Sequence, residues 1–149
     1  MTIASPAAFA ASGPPIPAAP LMDVTADYRP GVCNIGPAEI ARRRRSGHIG
    51  VIAAVILFAV LVVIDAPPLA RLLVAAPAII AASGYLQAWL KFCAGFGSAG
   101  VFNFGDVGTT EAVADAAAKR ADRRRALQIG AASFAIGIAV GIVAVLLPV

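Results

Sequence analysis

The sequence predicts an all-α integral membrane fold: a helical hairpin, a third transmembrane helix, short cytoplasmic helices and a flexible N-terminal tail. Three apolar runs carry that prediction. Residues 49–64 are sixteen consecutive Gly, Ala or larger apolar residues, eighteen with Gly47 and His48. Residues 69–90 add twenty-two whose single charge is Arg71, and residues 127–147 add twenty-one with no charge. A helix rises ~1.5 Å per residue, and about 17–25 apolar residues cross a bilayer core. Lipid offers backbone N–H and C=O groups no partner, so runs of this length are expected to be helical. A soluble helical core needs polar faces, which these runs lack. Only 13% of residues are charged and the mean hydropathy is +0.85, against ~25% charged in globular domains.

Residues 1–28 are rich in Ala and Pro. Such a segment buries too little to offset its ordering entropy, so a flexible tail with polyproline II character is expected. Pro6, Pro14, Pro15 and Pro17 interrupt it and the first basic residue, Arg29, lies beyond it, so no secretory leader is expected either.

Residues 29–46 form a cytoplasmic Cys/Arg segment. Gly31 and Gly36-Pro37 are turn signals. Pro37 then suits the first turn of a short helix, with Glu39 early and Arg42, Arg43, Arg44 and Arg45 late, matching the helix dipole. Glu39 is spaced to pair with Arg43. The four arginines immediately precede the first span and read as a membrane anchor with affinity for anionic headgroups.

Residues 47–65 are the first span and 66–90 the second. Between them Asp65 is placed to cap the second helix, with Pro67 or Pro68 in its first turn. Arg71 near the span end can snorkel to the headgroups. Pro77 removes a backbone hydrogen bond within the second span and predicts a kink. Ser83 and Gln87, one turn apart, predict hydrogen bonds to another helix.

Residues 91–108 hold five glycines and four of the seven phenylalanines. That is too glycine-rich for an ordinary helix and too aromatic for a solvated linker. An interfacial loop is expected, with Phe92, Phe96, Phe102 and Phe104 in lipid or against the spans. Tyr85 and Trp89 fit the aromatic belt. Gly95-Phe-Gly-Ser-Ala-Gly100 matches GxGxxG, but an apolar span precedes it where a dinucleotide fold needs a strand.

Residues 109–126 predict a cytoplasmic basic helix, capped by Thr109 or Thr110, with an Asp115–Lys119 pair and a closing cluster Arg123, Arg124 and Arg125. Residues 127–148 are the third span. Ser133, Gly137 and Gly141 fall on one face, the glycines as GxxxG, so a close contact is expected there, either with the hairpin or with a partner chain.

Orientation follows from counting. Eleven of the twelve basic residues flank the spans on one side, and Arg71 alone lies at the hairpin turn. That side is expected to be cytoplasmic, with the N-terminus inside and the C-terminus outside an inner (plasma) membrane. The net charge of +4 and pI near 9.7 reflect this clustering, so nucleic acid is not the expected partner.

No catalytic constellation is legible. The soft ligands beyond Met1 and Met22 are Cys33, Cys93 and His48, all expected on the cytoplasmic side; together they suggest Zn or Cu(I), or the two thiols a redox pair. The spacing matches no metal motif. The expected role is therefore a non-catalytic accessory, assembly or scaffold subunit, partnered through the third span with another membrane protein or a second copy. The alternatives are a cytoplasmic-face thiol or metal protein built on Cys33 and Cys93, or a small transport component.

Overall fold

The computed structural model describes residues 27–148. The expected tail, residues 1–28, lies outside them except for Asp27 and Tyr28. The described chain is mostly helical, with three helices long and apolar enough to cross a membrane.

Helix α1 runs Pro37–Val63 without a break. The expected short cytoplasmic helix and first span are thus one element of ~40 Å, longer than a ~30 Å hydrocarbon core. No proline interrupts the junction, and Gly47 and Gly50 are held by packing on the next helix. A turn at residues 64–67 reverses the chain. Asp65 sits there in the left-handed region (φ 52°) and does not cap the second helix, correcting that expectation. A 3-10 helix, Pro68–Val74, follows, capped at Pro67 without any side-chain bond. It leads into α2, Ala75–Trp89. The 3-10 stretch ends just before Pro77, so the proline falls in the first turn of the α-helix, where a missing N–H is tolerated.

After α2 come a short helix α3 (Ala94–Ala99) and strands β1 (Val101–Phe102) and β2 (Glu111–Ala112), paired antiparallel. Helix α4, Ala116–Leu146, merges the basic helix with the third span. It starts later than residues 109–126 imply, because Glu111 and Ala112 are drawn into the strand pair. Its cap is Asp115, not a threonine. The Ala118 N–H donates to the Asp115 carboxylate at 2.7 Å, and that bond, with a second from Ala117, holds the carboxyl below its ordinary value. Asp115 thus acts as a cap in place of the expected Lys119 partner.

Helix α2 is the centre of the bundle, with α1 and α4 packed against it. Small residues set both crossings. A Cβ on Gly84 meets the backbone of Gly47 and Arg43, and one on Gly50 comes 2.8 Å from Ala81 Cα. On the other side, Gly137 and Gly141 press against Ile79, Ala75 and Leu72, so a Cβ at Gly141 lies 2.9 Å from the Ala75 methyl. Ser133, on the same face, donates to the Ile129 carbonyl at 2.7 Å. The GxxxG face is therefore occupied by the hairpin of the same chain. A partner of the third span has to use another face.

Burial is inverted relative to a water-soluble bundle. Ile49, Val63 and Leu146 are 66%, 84% and 73% exposed, whereas Asn34, Glu39 and Asp122 are completely buried. The polar groups lie in a folded cap at one end of the bundle, made by residues 27–36 and 91–115 on the ends of α1 and α4. The phenylalanine-rich stretch belongs to this cap: Phe92 packs on Ala126 and Ile129, and Phe102 packs with Val113 and Ala118.

Candidate functional site

The cap is assembled around Asn34. Its side-chain amide donates to the Cys93 carbonyl (3.1 Å) and accepts from the Cys93 N–H (2.7 Å). Its backbone N–H donates to Lys91 and its carbonyl accepts from Asn103. A fully buried asparagine needs partners for each of these groups, and here they tie the N-terminal segment to the Gly/Phe stretch.

Beside it, α1 contributes the buried carboxylate of Glu39. Arg42 and Arg43, one turn on, approach it at 3.4 and 3.5 Å. The Glu39–Arg43 spacing noted in the sequence is used, within a buried network. The same Arg43 Nη2 donates to Cys93 Sγ at 3.0 Å, and the guanidinium lies 5.8 Å from the Phe96 ring centre. Cys93 caps α3, its sulfur also accepting from the Phe96 N–H at 3.4 Å. Arg43 thus links α1, Cys93 and α3, beyond its expected role as a membrane anchor. Arg42, Arg44, Arg45, Arg123 and Arg124 remain exposed and Arg125 is half-buried.

The three soft ligands do not converge. Cys33 is a free thiol directed at the Ile35 carbonyl. Cys93 is a free thiol engaged with Arg43. His48 bonds through Nδ1 to the Tyr85 hydroxyl, edge-on to that ring. Among the described residues no three His, Cys, Asp or Glu side chains gather as a metal set. Each of the three side chains is drawn to a different neighbour.

The relationships of Asp122 and Arg71 were not anticipated, and the helix-to-helix bonding expected of Ser83 and Gln87 is found at Gln87. Asp122 accepts from the Tyr28 hydroxyl at 2.7 Å and the Gly31 N–H at 2.6 Å. Tyr28, placed in the tail by composition, stacks on Phe102 with centroids 4.8 Å apart. Burial first, and the Asp122 bond second, push its phenol above the ordinary value of 10.0. Arg71 is buried and donates to the Leu147 carbonyl, so it serves the end of α4 more directly than any headgroup. Ser83 and Gln87 bond to each other, and Gln87 Oε1 accepts from the Ala94 N–H. With Arg43 and Ser46 they line a polar cleft of about 260 Å³ between α1 and α2. The one sequence signal for Asp122 is its isolation as the single acid in a basic run.

Among the described residues neither cysteine thiol is bonded to a histidine: Cys93 Sγ accepts from Arg43, and Cys33 is directed at a backbone carbonyl. Glu39 is paired with Arg42 and Arg43, and Asp122 is held by two neutral donors, as a structural network requires. No protein-family model, curated protein or solved structure matches the chain.

Proposed function

We propose that the chain is a small three-span protein of a bacterial-type plasma membrane, a non-catalytic accessory, assembly or scaffold subunit with its polar cap in the cytoplasm. One observation carries the reading: a girdle of exposed large apolar side chains on α1, α2 and α4 lies below a cap in which polar groups are buried and paired. Such a girdle suits lipid as solvent and is far too large for a water-soluble monomer. The sidedness rests on the basic residues: Arg42–Arg45, Lys91 and the cluster on α4 gather at the cap, and Arg71 lies at the other end. The cap, held together by hydrogen bonds of Asn34 and Asp122, offers a binding surface for another protein.

The test is the native mass of the protein extracted from its host in mild detergent. A complex with other chains is the expected result, and those chains name the pathway. A lone 15.0 kDa species overturns the accessory-subunit reading.

A second reading draws on Asn34, which clasps the Cys93 backbone and so brings the neighbouring Cys33 into the same cap. A thiol pair there closes to a disulfide when an added oxidant takes up two electrons and two protons. Loss of both free thiols without chain dimerisation, under mild oxidation by copper-phenanthroline, supports it. Two persistent free thiols overturn it.

A further inference from the structure

We infer that the open groove between α1 and α4 binds one anionic glycerophospholipid, an acyl chain lying on α2 and the headgroup held between Arg44 and Arg125. The inference deepens the membrane reading above and rests on it.

The groove exists because α2 separates α1 from α4. Two cavities of about 240 and 360 Å³ share Ala54, Val55 and Val140, forming one channel along the bundle. Its floor is Ala78, Ala81 and Ala82 of α2, whose side chains are single methyls. From Tyr85 to Val74 the floor runs ~16 Å at ~1.5 Å per residue, about one leaflet of a ~30 Å core. No acidic residue lines it. Its polar edge is Tyr85, whose hydroxyl is bonded to His48 at the cap end.

Charge complementarity identifies the occupant. On a helix with 3.6 residues per turn, residues seven or eleven apart lie within ~20° of one another. Arg44 is seven and eleven residues before Val51 and Val55, which line the groove wall on α1. Arg125 is eleven and eighteen residues before Ile136 and Val143, which line the wall on α4. Each wall therefore carries an arginine in register with its apolar lining, above the mouth at the cap end. An apolar trough under two guanidinium groups matches an acyl chain below a phosphate. A second copy is disfavoured, because in the same orientation it brings its own arginine clusters to the same end.

The experiment uses the full chain, purified in mild detergent, with an equimolar mixture of dioleoyl phosphatidylglycerol and dioleoyl phosphatidylcholine. Native mass spectrometry counts the lipids retained. The wild type is expected to keep one phosphatidylglycerol in preference to phosphatidylcholine by about tenfold or more. The Arg44→Gln/Arg125→Gln double variant loses that preference. Arg45→Gln/Arg124→Gln, with the same charge change ~100° round each helix, keeps it. Val55→Trp, which fills the groove from one wall, loses the bound lipid while its helical circular dichroism is unchanged. Equal retention of both lipids, equal loss in the two double variants, or a second protein chain in place of lipid overturns the site. A chain that stays in solution without detergent overturns the membrane reading itself.

Discussion

Arg71, in the 3-10 helix that leads into α2, donates through Nη1 to the backbone carbonyl of Leu147, seventy-six residues away, at 2.9 Å. Carbonyls at a helix C-terminus lack intrahelical partners and carry partial negative charge. The guanidinium meets both needs and fastens the hairpin turn to the end of α4. Arg71→Met is expected to lower stability by about 1–2 kcal/mol, with Arg71→Lys intermediate because it keeps the charge and loses the planar fork. Reversible unfolding in mixed detergent micelles measures this. A methionine variant within a few tenths of a kcal/mol of wild type, on the scale of ordinary neutral substitutions, shows that the contact does not fasten the two ends.

Asp122 does the corresponding work in the cap. Its two oxygens take the Tyr28 hydroxyl and the Gly31 N–H, and hydrogen bonds to an ionised acceptor are worth roughly 1.5–3 kcal/mol each. Asp122→Ala leaves both donors unpaired. Amide hydrogen exchange of residues 28–35 is expected to accelerate by about tenfold or more, with α2 and the apolar half of α4 still protected. Unchanged protection of Gly31 refutes the proposed latch.

Tyr28 gives that latch an alkaline limit. Its phenol is held above the ordinary value, by burial foremost and then by Asp122. A raised folded value means the neutral form is the one the fold favours. The contribution is complete below 10.0, the ordinary value, and is lost as pH rises through the higher folded value. Exchange of the N-terminal segment should therefore quicken above about pH 10. Tyr28→Phe should be weaker at neutral pH and show no such acceleration from this group. The comparison of the two pH profiles decides it, since other titrating groups affect both proteins alike.

The three long helices were readable because each contains an apolar run long enough to cross a membrane. Their true lengths were not. The polar turns of α1 and α4 continue the apolar ones with the same backbone, and a change from arginine to isoleucine does not interrupt a helix. The cap was hidden for a different reason. Asn34 is far in sequence from both Cys93 and Asn103, and nothing local says that it pairs with both of them. Tyr28 read as tail because its stabilising partners, Phe102 and Asp122, are more than seventy residues away. The Ser133–Gly137–Gly141 face was legible as a contact surface. Which helix fills it was settled by the central position of α2.

That central position rests on glycines, and they supply the sharpest comparison. Gly84 faces the backbone of Gly47 and Arg43, whereas Gly130 on α4 faces open space. Helix propensity alone favours alanine over glycine by about 1 kcal/mol at an interior position. Gly130→Ala should therefore be neutral or stabilising. At Gly84 the added methyl meets main chain that has no rotamer to relax into. Moving two helices apart forfeits close packing along the crossing, which on the proposed membrane reading lipid supplies no hydrophobic force to restore. Overpacking of this kind costs about 1–3 kcal/mol, so Gly84→Ala should destabilise despite its better propensity. Gly137→Ala should behave similarly, because its Cβ meets the Ile79 backbone at 2.8 Å as well as the Ile79 side chain. Unfolding of the three variants in one detergent system checks the sign at each site. A Gly84→Ala protein as stable as Gly130→Ala would mean that the α1–α2 crossing is looser than the glycine contacts require.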